Sequence, residues 1–123
     1  MDGFIAYVCD QLRSWAPVAA RRMFGGHGIF RGATMFALVH ADALYFRTDA
    51  TSCGDFAAAG MAPFRYVRAG RSVALGYHEV PAEVLDEPDR LAAWAERAYE
   101  TALRRRVPGA AARRTKSRVG SVD

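Results

Sequence analysis

The first segment of the chain has the hydrophobic spacing of an amphipathic helix. Phe4, Val8, Leu12 and Trp15 follow one another at intervals of four, four and three residues, which places them on one helical face, and Ile5 lies beside this face. Pro17 restricts the residue before it to extended conformations, so the helix should end before this point. The pattern therefore predicts a first helix over residues 2–15.

Residues 22–49 have a different pattern, in which short apolar and aromatic runs alternate with tight polar turns. The region begins with the glycine-rich segment 25–28, and polar turns follow at 31–32 and 41–42. This arrangement is typical of antiparallel strands joined by hairpins, so we predict a meander of three strands. Glycines at the start of a strand allow a bulge or close backbone packing, which is the role we expect for segment 25–28.

Alternation along the third of these strands predicts a sheet with two different faces. Leu44 and Phe46 should point to one side, and Tyr45 and Arg47 to the other. Antiparallel sheets commonly bury one face and leave the other in contact with solvent. We therefore expect one core face and one more exposed face.

The second half of the chain predicts a short helix, a hairpin and a long helix. Residues 51–59 have the polar start of a helix and are followed by a closing glycine, Gly60, and residues 64–67 and 72–80 have the composition of strands. An acidic segment at 86–89 marks the start of the last helix, which arginines close at 104–106. The order α-β-β-β-α-β-β-α predicts an α+β fold with an antiparallel sheet of about five strands.

The positive charge of the chain is concentrated at its C-terminal end. The formal net charge is +4, but residues 104–123 hold seven basic residues and one acid, whereas the rest has ten basic and twelve acidic residues. All fourteen aromatic residues precede residue 100. We therefore predict a folded, slightly acidic domain at residues 1–106 and a basic, disordered tail at 107–123.

The chain has no apolar run of the length that a membrane helix requires, which is about 18 residues. Its first residues, Met1, Asp2 and Gly3, lack the basic region of a signal peptide. We therefore expect a cytoplasmic protein that has no membrane partner.

No cluster of residues has the spacing of a known catalytic or metal site. His27, His40 and His78 have no paired ligand spacing, and segment 25–28 does not match a dinucleotide-binding glycine motif. No serine or cysteine lies in a nucleophile elbow. We predict that the protein is not an enzyme and has no catalytic, cofactor-binding or metal-binding residue. The alternative is a small-ligand site or an enzyme pocket near His27 or His78.

A protein-interaction surface on an exposed sheet face or edge is the first candidate binding site. Its candidate residues are Tyr45, Arg47, Tyr66 and His78. An uncovered edge strand can also pair with a second copy of the chain, which leaves a homodimer open.

The basic tail is the second candidate binding site, and its partner would be nucleic acid. Runs of basic residues bind phosphates without sequence preference, and the binding weakens as salt rises. The candidate residues are Arg113, Arg114, Lys116 and Arg118.

An ordered series of short motifs resembles the N-terminal domain of the TfoX/Sxy competence regulators, over about residues 4–105. The motifs are RMFGGHG at 22–28, MFAL at 35–38, LYFR at 44–47, FAAAG at 56–60, PFRY at 63–66, YHEVP at 77–81, and Trp94. The resemblance implies an α+β fold related to secretion chaperones and a cytoplasmic bacterial protein.

The resemblance also implies a function. Family members promote expression of DNA-uptake genes by assisting the cyclic-AMP receptor protein at promoters, so a protein partner in the transcription machinery is expected. The family pattern supplies structural positions and no catalytic residue. The full regulators carry a second, helical domain, so we interpret this chain as a stand-alone N-terminal domain with a regulatory, protein-binding role.

Overall fold

The computed structural model describes residues 3–23, 25–50, 52–68 and 71–110, and it describes side chains in 3–23, 25–50, 52–65 and 76–104. In chain order the elements are α1 (Gly3–Arg13), β1 (Ala19–Met23), β2 (Gly26–Arg31), β3 (Thr34–His40), β4 (Ala43–Arg47), α2 (Cys53–Ala58), β5 (Pro63–Arg68), β6 (Arg71–Glu79), α3 (Ala82–Leu85) and α4 (Pro88–Ala110).

The strands form one antiparallel sheet in the order β1-β2-β3-β4-β6-β5. The first four strands are a meander. The chain then passes through α2 and returns as the β5–β6 hairpin, whose second strand pairs with β4. The predicted α+β fold with an antiparallel sheet is confirmed, with six strands instead of about five.

The additional strand is β1, which the hydrophobic pattern did not predict. Its sequence, AARRM, has no alternation of apolar and polar residues, because β1 lies at the edge of the sheet and its side chains are exposed or half-buried. Pairing with β2 places Ala20 opposite Ile29 and Arg22 opposite His27. The strand therefore forms through its backbone hydrogen bonds to β2, which a pattern of side chains does not reveal.

The glycines of segment 25–28 have the packing role that the sequence indicated. Gly25 has a left-handed backbone, with a φ of 75°. A side chain on Gly26 would collide with the carbonyl oxygen of Val39 in the neighbouring strand. Gly25 therefore provides the turn conformation that precedes β2, and Gly26 lets β2 start close against β3.

The helices cover one face of the sheet and bury the main core against it. Ile5, Val8 and Leu12 of α1 are fully buried, as the helical spacing predicted. The long helix α4 contributes Leu91 and a row of alanines, and α2 contributes Phe56. Together with strand side chains they form one cluster, so the helices lie on a single side of the sheet.

Phe36 lies at the centre of this core. Its ring is fully buried, and its centre is 5.2 Å from the ring centre of Trp15, 6.0 Å from that of Phe46 and 6.4 Å from that of Tyr99. The β2–β3 register pairs Ile29 with Ala37 and the next residue of β2 with Met35, so Phe36 is an extra residue in β3. This bulge changes which residues of β3 share a face.

The predicted division between domain and tail falls inside the last helix. The backbone of α4 continues to Ala110, beyond the boundary predicted at residue 106. Residues 111–123, with Arg113, Arg114, Lys116 and Arg118, lie outside the described residues. The division into domain and tail therefore stays a prediction.

Candidate functional site

The face of the sheet opposite the helices carries a second apolar cluster. Leu38, Phe64 and Tyr77 are buried there, and Met35 and Tyr45 pack against them. All five residues come from strands, and no described helix residue belongs to the cluster. We call this side of the sheet the open face.

The bulge in β3 determines which residues reach the open face. Met35 and Leu38 both lie on it although they are three residues apart, because Phe36 is the extra residue between them. Without the bulge, strict alternation would place Met35 and Leu38 on opposite sides of the strand. The bulge therefore sends Phe36 to the helices and leaves Met35 and Leu38 on the open face.

Gly28 brings the methionines of the open face together. A Cβ atom built on Gly28 would lie 2.8 Å from Sδ of Met23, 3.0 Å from Sδ of Met35 and 3.1 Å from the Phe30 ring. The two sulfur atoms and the ring therefore fill the space that a side chain at residue 28 would need. Met23, Phe30 and Met35 are each half-buried, so this part of the open face is in contact with solvent.

The other end of the open face is aromatic, and the sheet curls around it. The ring centre of Phe64 is 4.9 Å from that of Tyr45 and 5.5 Å from that of His40. Phe64 belongs to β5, which is separated from β4 by β6, so these contacts require the β5–β6 hairpin to bend toward the open face. Gly76 has a φ of 74° in β6, where such a bend can form.

Two arginines lie over aromatic rings of the open face. The guanidinium carbon of Arg21 is 4.6 Å from the centre of the Phe30 ring, and that of Arg47 is 5.3 Å from the centre of the Tyr77 ring. Arg47 also donates a hydrogen bond from Nη1 to the carbonyl oxygen of Gly76, at 3.2 Å. The arginines therefore add positive charge to an apolar surface.

The tyrosines of the open face are in a partly apolar environment. Burial raises the pKa of Tyr77 above its ordinary value, and Arg47 acts in the opposite direction. Burial also raises the pKa of Tyr45, and the carboxylate of Glu79 adds to that effect. Both phenols stay protonated at neutral pH, so they can donate hydrogen bonds to a partner.

The structure divides the four residues that the sequence suggested for protein interaction. Tyr45 and Arg47 both lie on the open face. Tyr66 lies in β5, opposite Val73, and its side chain is outside the described residues. His78 lies on the helix-covered side of the sheet. The role of all four residues in binding a partner stays a prediction.

His78 has the contacts of a structural residue. Its Nδ1 is 2.8 Å from the hydroxyl oxygen of Thr48, and its ring centre is 5.8 Å from that of Phe56 in α2. Burial lowers the pKa of His78 below its ordinary value. The imidazole is therefore held neutral between the sheet and a helix.

A small cleft lies beside His27 at the start of β2. Its volume is about 180 Å³. Its lining residues are Ile5, Gly25, Gly26, His27, Val39, His40, Ala41 and Asp42. Two imidazoles and one carboxylate can hydrogen-bond a small ligand there, so the small-ligand alternative retains a concave site.

His78 does not contribute to this cleft. His27 belongs to β2 and His78 to β6, and β3 and β4 separate the two strands. Within the part of the chain that the structure describes, no group of three histidine, cysteine or acidic residues is arranged to hold a metal ion.

Sequence reasoning missed most of the open face. Met23, Phe30, Met35 and Phe64 belong to it but were not among the candidates. The alternation that identified Tyr45 and Arg47 in β4 does not extend to β1, which has no pattern, or to β3, which has a bulge. The sequence of β2 did contain a signal for this face, because Gly28 and Phe30 alternate with His27 and Ile29 and therefore share one side of the strand.

Among the described residues, no helix is long and apolar enough to cross a membrane. A model of the TfoX N-terminal domain family matches residues 10–102 of the 123 residues. The match extends from the end of α1 through all six strands to α4. No curated protein matches the chain. The family match confirms the resemblance that the sequence motifs indicated. The chain therefore belongs to the TfoX N-terminal domain family, a family of competence-related regulatory domains and not a known family of enzymes.

Proposed function

We propose that this chain is a non-enzymatic regulatory domain that binds a protein partner through the open face. The observation that supports the proposal is an apolar sheet face on which no described helix residue packs. Methionine, aromatic and arginine side chains are enriched at protein interfaces, and the open face is built from these types. Methionines such as Met23 and Met35 also adapt their shape to a partner.

The partner that the family resemblance suggests is a component of the transcription machinery, with the cyclic-AMP receptor protein as the first candidate. In this proposal the domain contributes to expression of DNA-uptake genes by contacting that partner at a promoter. The domain itself supplies a rigid sheet surface, since the main core fixes the strands from the helical side. A preformed surface loses little conformational entropy on binding.

Two neighbouring arginines provide a test with a matched control. Arg21 and Arg22 are both exposed in β1, but successive residues of a strand point to opposite sides, so only Arg21 lies on the open face. The purified chain is immobilised and presented with RNA polymerase and the cyclic-AMP receptor protein. The wild type and Arg22→Glu should retain a partner, whereas Arg21→Glu should lose it.

The outcomes distinguish an error in the proposed binding surface from an error in the proposed partner. Retention by the wild type and equal retention by Arg21→Glu would show that the open face is not the binding surface. Failure of the wild type to retain either protein would contradict the role in transcription. Circular dichroism of both variants checks that the fold is unchanged.

The charge of the tail favours a second candidate function, direct contact with DNA. The predicted tail, residues 107–123, holds four basic residues and one acid, and all five lie beyond residue 110. Binding through this segment should be weak, independent of sequence and strongly reduced by salt. Deleting residues 111–123 leaves α4 complete and should abolish such binding. DNA binding that survives the deletion would contradict the tail hypothesis.

A further inference from the structure

The open face is apolar at its centre and positively charged at its margin. Arg21 lies over Phe30 at one end, and Arg47 lies over Tyr77 toward the other. Arg21 takes part in none of the ion pairs formed among the described residues. Glu79, which is opposite Tyr45 in the β4–β6 pairing, is an acidic residue of the same face.

The described charges are unevenly divided between the two sides of the domain, because arginines of the helical side are paired with acids, as Arg13 and Arg97 are. The helical side carries an exposed acidic group around the start of the last two helices, formed by Glu83, Asp86, Glu87 and Asp89. The open face carries the guanidinium groups of Arg21 and Arg47 and the carboxylate of Glu79. The apolar side of a domain that is slightly acidic as a whole therefore has a small excess of positive charge, and Arg21 contributes to it without an ion pair among the described residues.

This division argues against two occupants of the open face. The tail of the same chain is strongly basic, so it would bring like charge against Arg21 and Arg47. A second copy stacked face to face about a two-fold axis would bring Arg21 toward either Arg21 or Arg47 of that copy. Like charges at an interface disfavour both arrangements.

We infer that the open face binds a protein segment in which apolar or aromatic side chains are flanked by aspartate or glutamate. The apolar side chains would cover Met23, Phe30 and Met35, and a carboxylate would pair with Arg21. An arginine that already lies over a ring can donate hydrogen bonds to a carboxylate in the plane of its guanidinium, which combines stacking with a charge-assisted hydrogen bond. The inference rests on the proposed function and specifies the chemistry of its partner.

The test is selection of a random peptide display library on the immobilised full-length chain. The enriched peptides should combine aromatic or aliphatic residues with aspartate and glutamate. Their affinity should fall by about tenfold in Arg21→Glu and stay nearly unchanged in Arg22→Glu, because only the first substitution places a like charge on the open face. Affinity should also fall as salt rises.

A charge-reversal experiment tests the same ion pair by changing the peptide. Peptides in which every acid is replaced by lysine should bind the wild type poorly and bind Arg21→Glu better. If the selected peptides are neutral or basic but lose affinity when Phe30 or Arg21 is substituted, the inference of an acidic partner is wrong and the proposed function still stands. Peptides that bind without dependence on Phe30 or Arg21, or a selection that enriches nothing, would count against both.

Self-association is measured separately, by sedimentation at low and high micromolar concentration of the chain. A monomer over this range supports the inference. A dimer that Arg21→Glu dissociates and Arg22→Glu does not would make a second copy the occupant of the open face and overturn the inference.

Discussion

The guanidinium of Arg31, at the end of β2, lies 4.8 Å from the centre of the Trp15 ring, just beyond α1. The same guanidinium is 4.5 Å from the centre of the Tyr99 ring in α4. Glu96 joins the group, since it accepts a hydrogen bond from Nε1 of Trp15 at 3.0 Å and lies 3.9 Å from Nη1 of Arg31. One cation therefore connects α4 and the segment just beyond α1 to the end of β2.

Replacing this cation should destabilise the domain more than replacing an ordinary surface arginine. We expect Arg31→Met to lower the free energy of unfolding by about 1–2 kcal/mol, because it removes two cation–π contacts while keeping an apolar stem. Arg90→Met is the control, since among the described residues Arg90 makes one exposed ion pair, with Glu87, and its replacement should cost less than about 0.5 kcal/mol. Urea unfolding of both variants measures the difference, and equal losses would show that the stack contributes nothing.

The bend of β6 depends on a glycine. Gly76 has a φ of 74°, and a Cβ atom there would collide with Nη1 of Arg47. Gly76→Ala should therefore lose about 1–3 kcal/mol of stability through backbone strain, together with the cost of displacing Arg47. The loss is measured by thermal or urea unfolding.

Substitutions of two other glycines distinguish the two causes of that loss, which are backbone strain and the collision with Arg47. Gly32 has a φ of 60° and open space around it, so Gly32→Ala reports backbone strain without a collision. Gly54 lies in α2 with open space around it and no left-handed φ, so Gly54→Ala should be neutral or slightly stabilising. Gly76→Ala should destabilise the domain most, Gly32→Ala less, and Gly54→Ala least. A Gly76→Ala variant as stable as Gly32→Ala would show that displacing the Arg47 side chain costs no free energy.

Phe36 should be the costliest single aromatic ring to remove. It is fully buried and contacts Trp15, Phe46 and Tyr99, so Phe36→Ala should lose about 3–5 kcal/mol. Phe30→Ala is the matched control and should cost less, because the Phe30 ring already contacts solvent. If Phe36→Ala does not fold, Phe36→Leu provides a smaller loss to compare. A loss at residue 30 as large as at residue 36 would contradict the solvent exposure of the open face.

His78 should make stability depend on pH. Its pKa is lowered in the folded state by burial, so the unfolded chain binds the proton more tightly. Its contribution is fully present above the ordinary histidine value of about 6.5 and is lost as pH falls through the folded pKa. His78→Gln should flatten this part of the pH dependence of unfolding. An NMR titration in which His78 titrates at or above its value in the urea-unfolded chain would contradict the prediction.

Local patterns in the sequence were sufficient for the elements that bury a regular set of side chains. The spacing of Val8 and Leu12 predicted α1, and alternation in β4 predicted that Tyr45 and Arg47 share a face. These predictions succeeded because each element buries one face at its own regular spacing, so the burial can be inferred from the residues of that element alone. The order of the predicted elements indicated the α+β fold class, and the family motifs extended the prediction to a regulatory role.

The tertiary structure decided β1, the bulge at Phe36 and the composition of the open face. β1 is held by backbone pairing with β2, which its side chains do not encode. The bulge depends on the register between two strands, and it places Met35 beside Leu38 where alternation would separate them. The β5–β6 hairpin carries Phe64 toward Tyr45 through a bend at Gly76. A binding surface assembled from several strands is a property of their register and curvature, and no single strand contains that information.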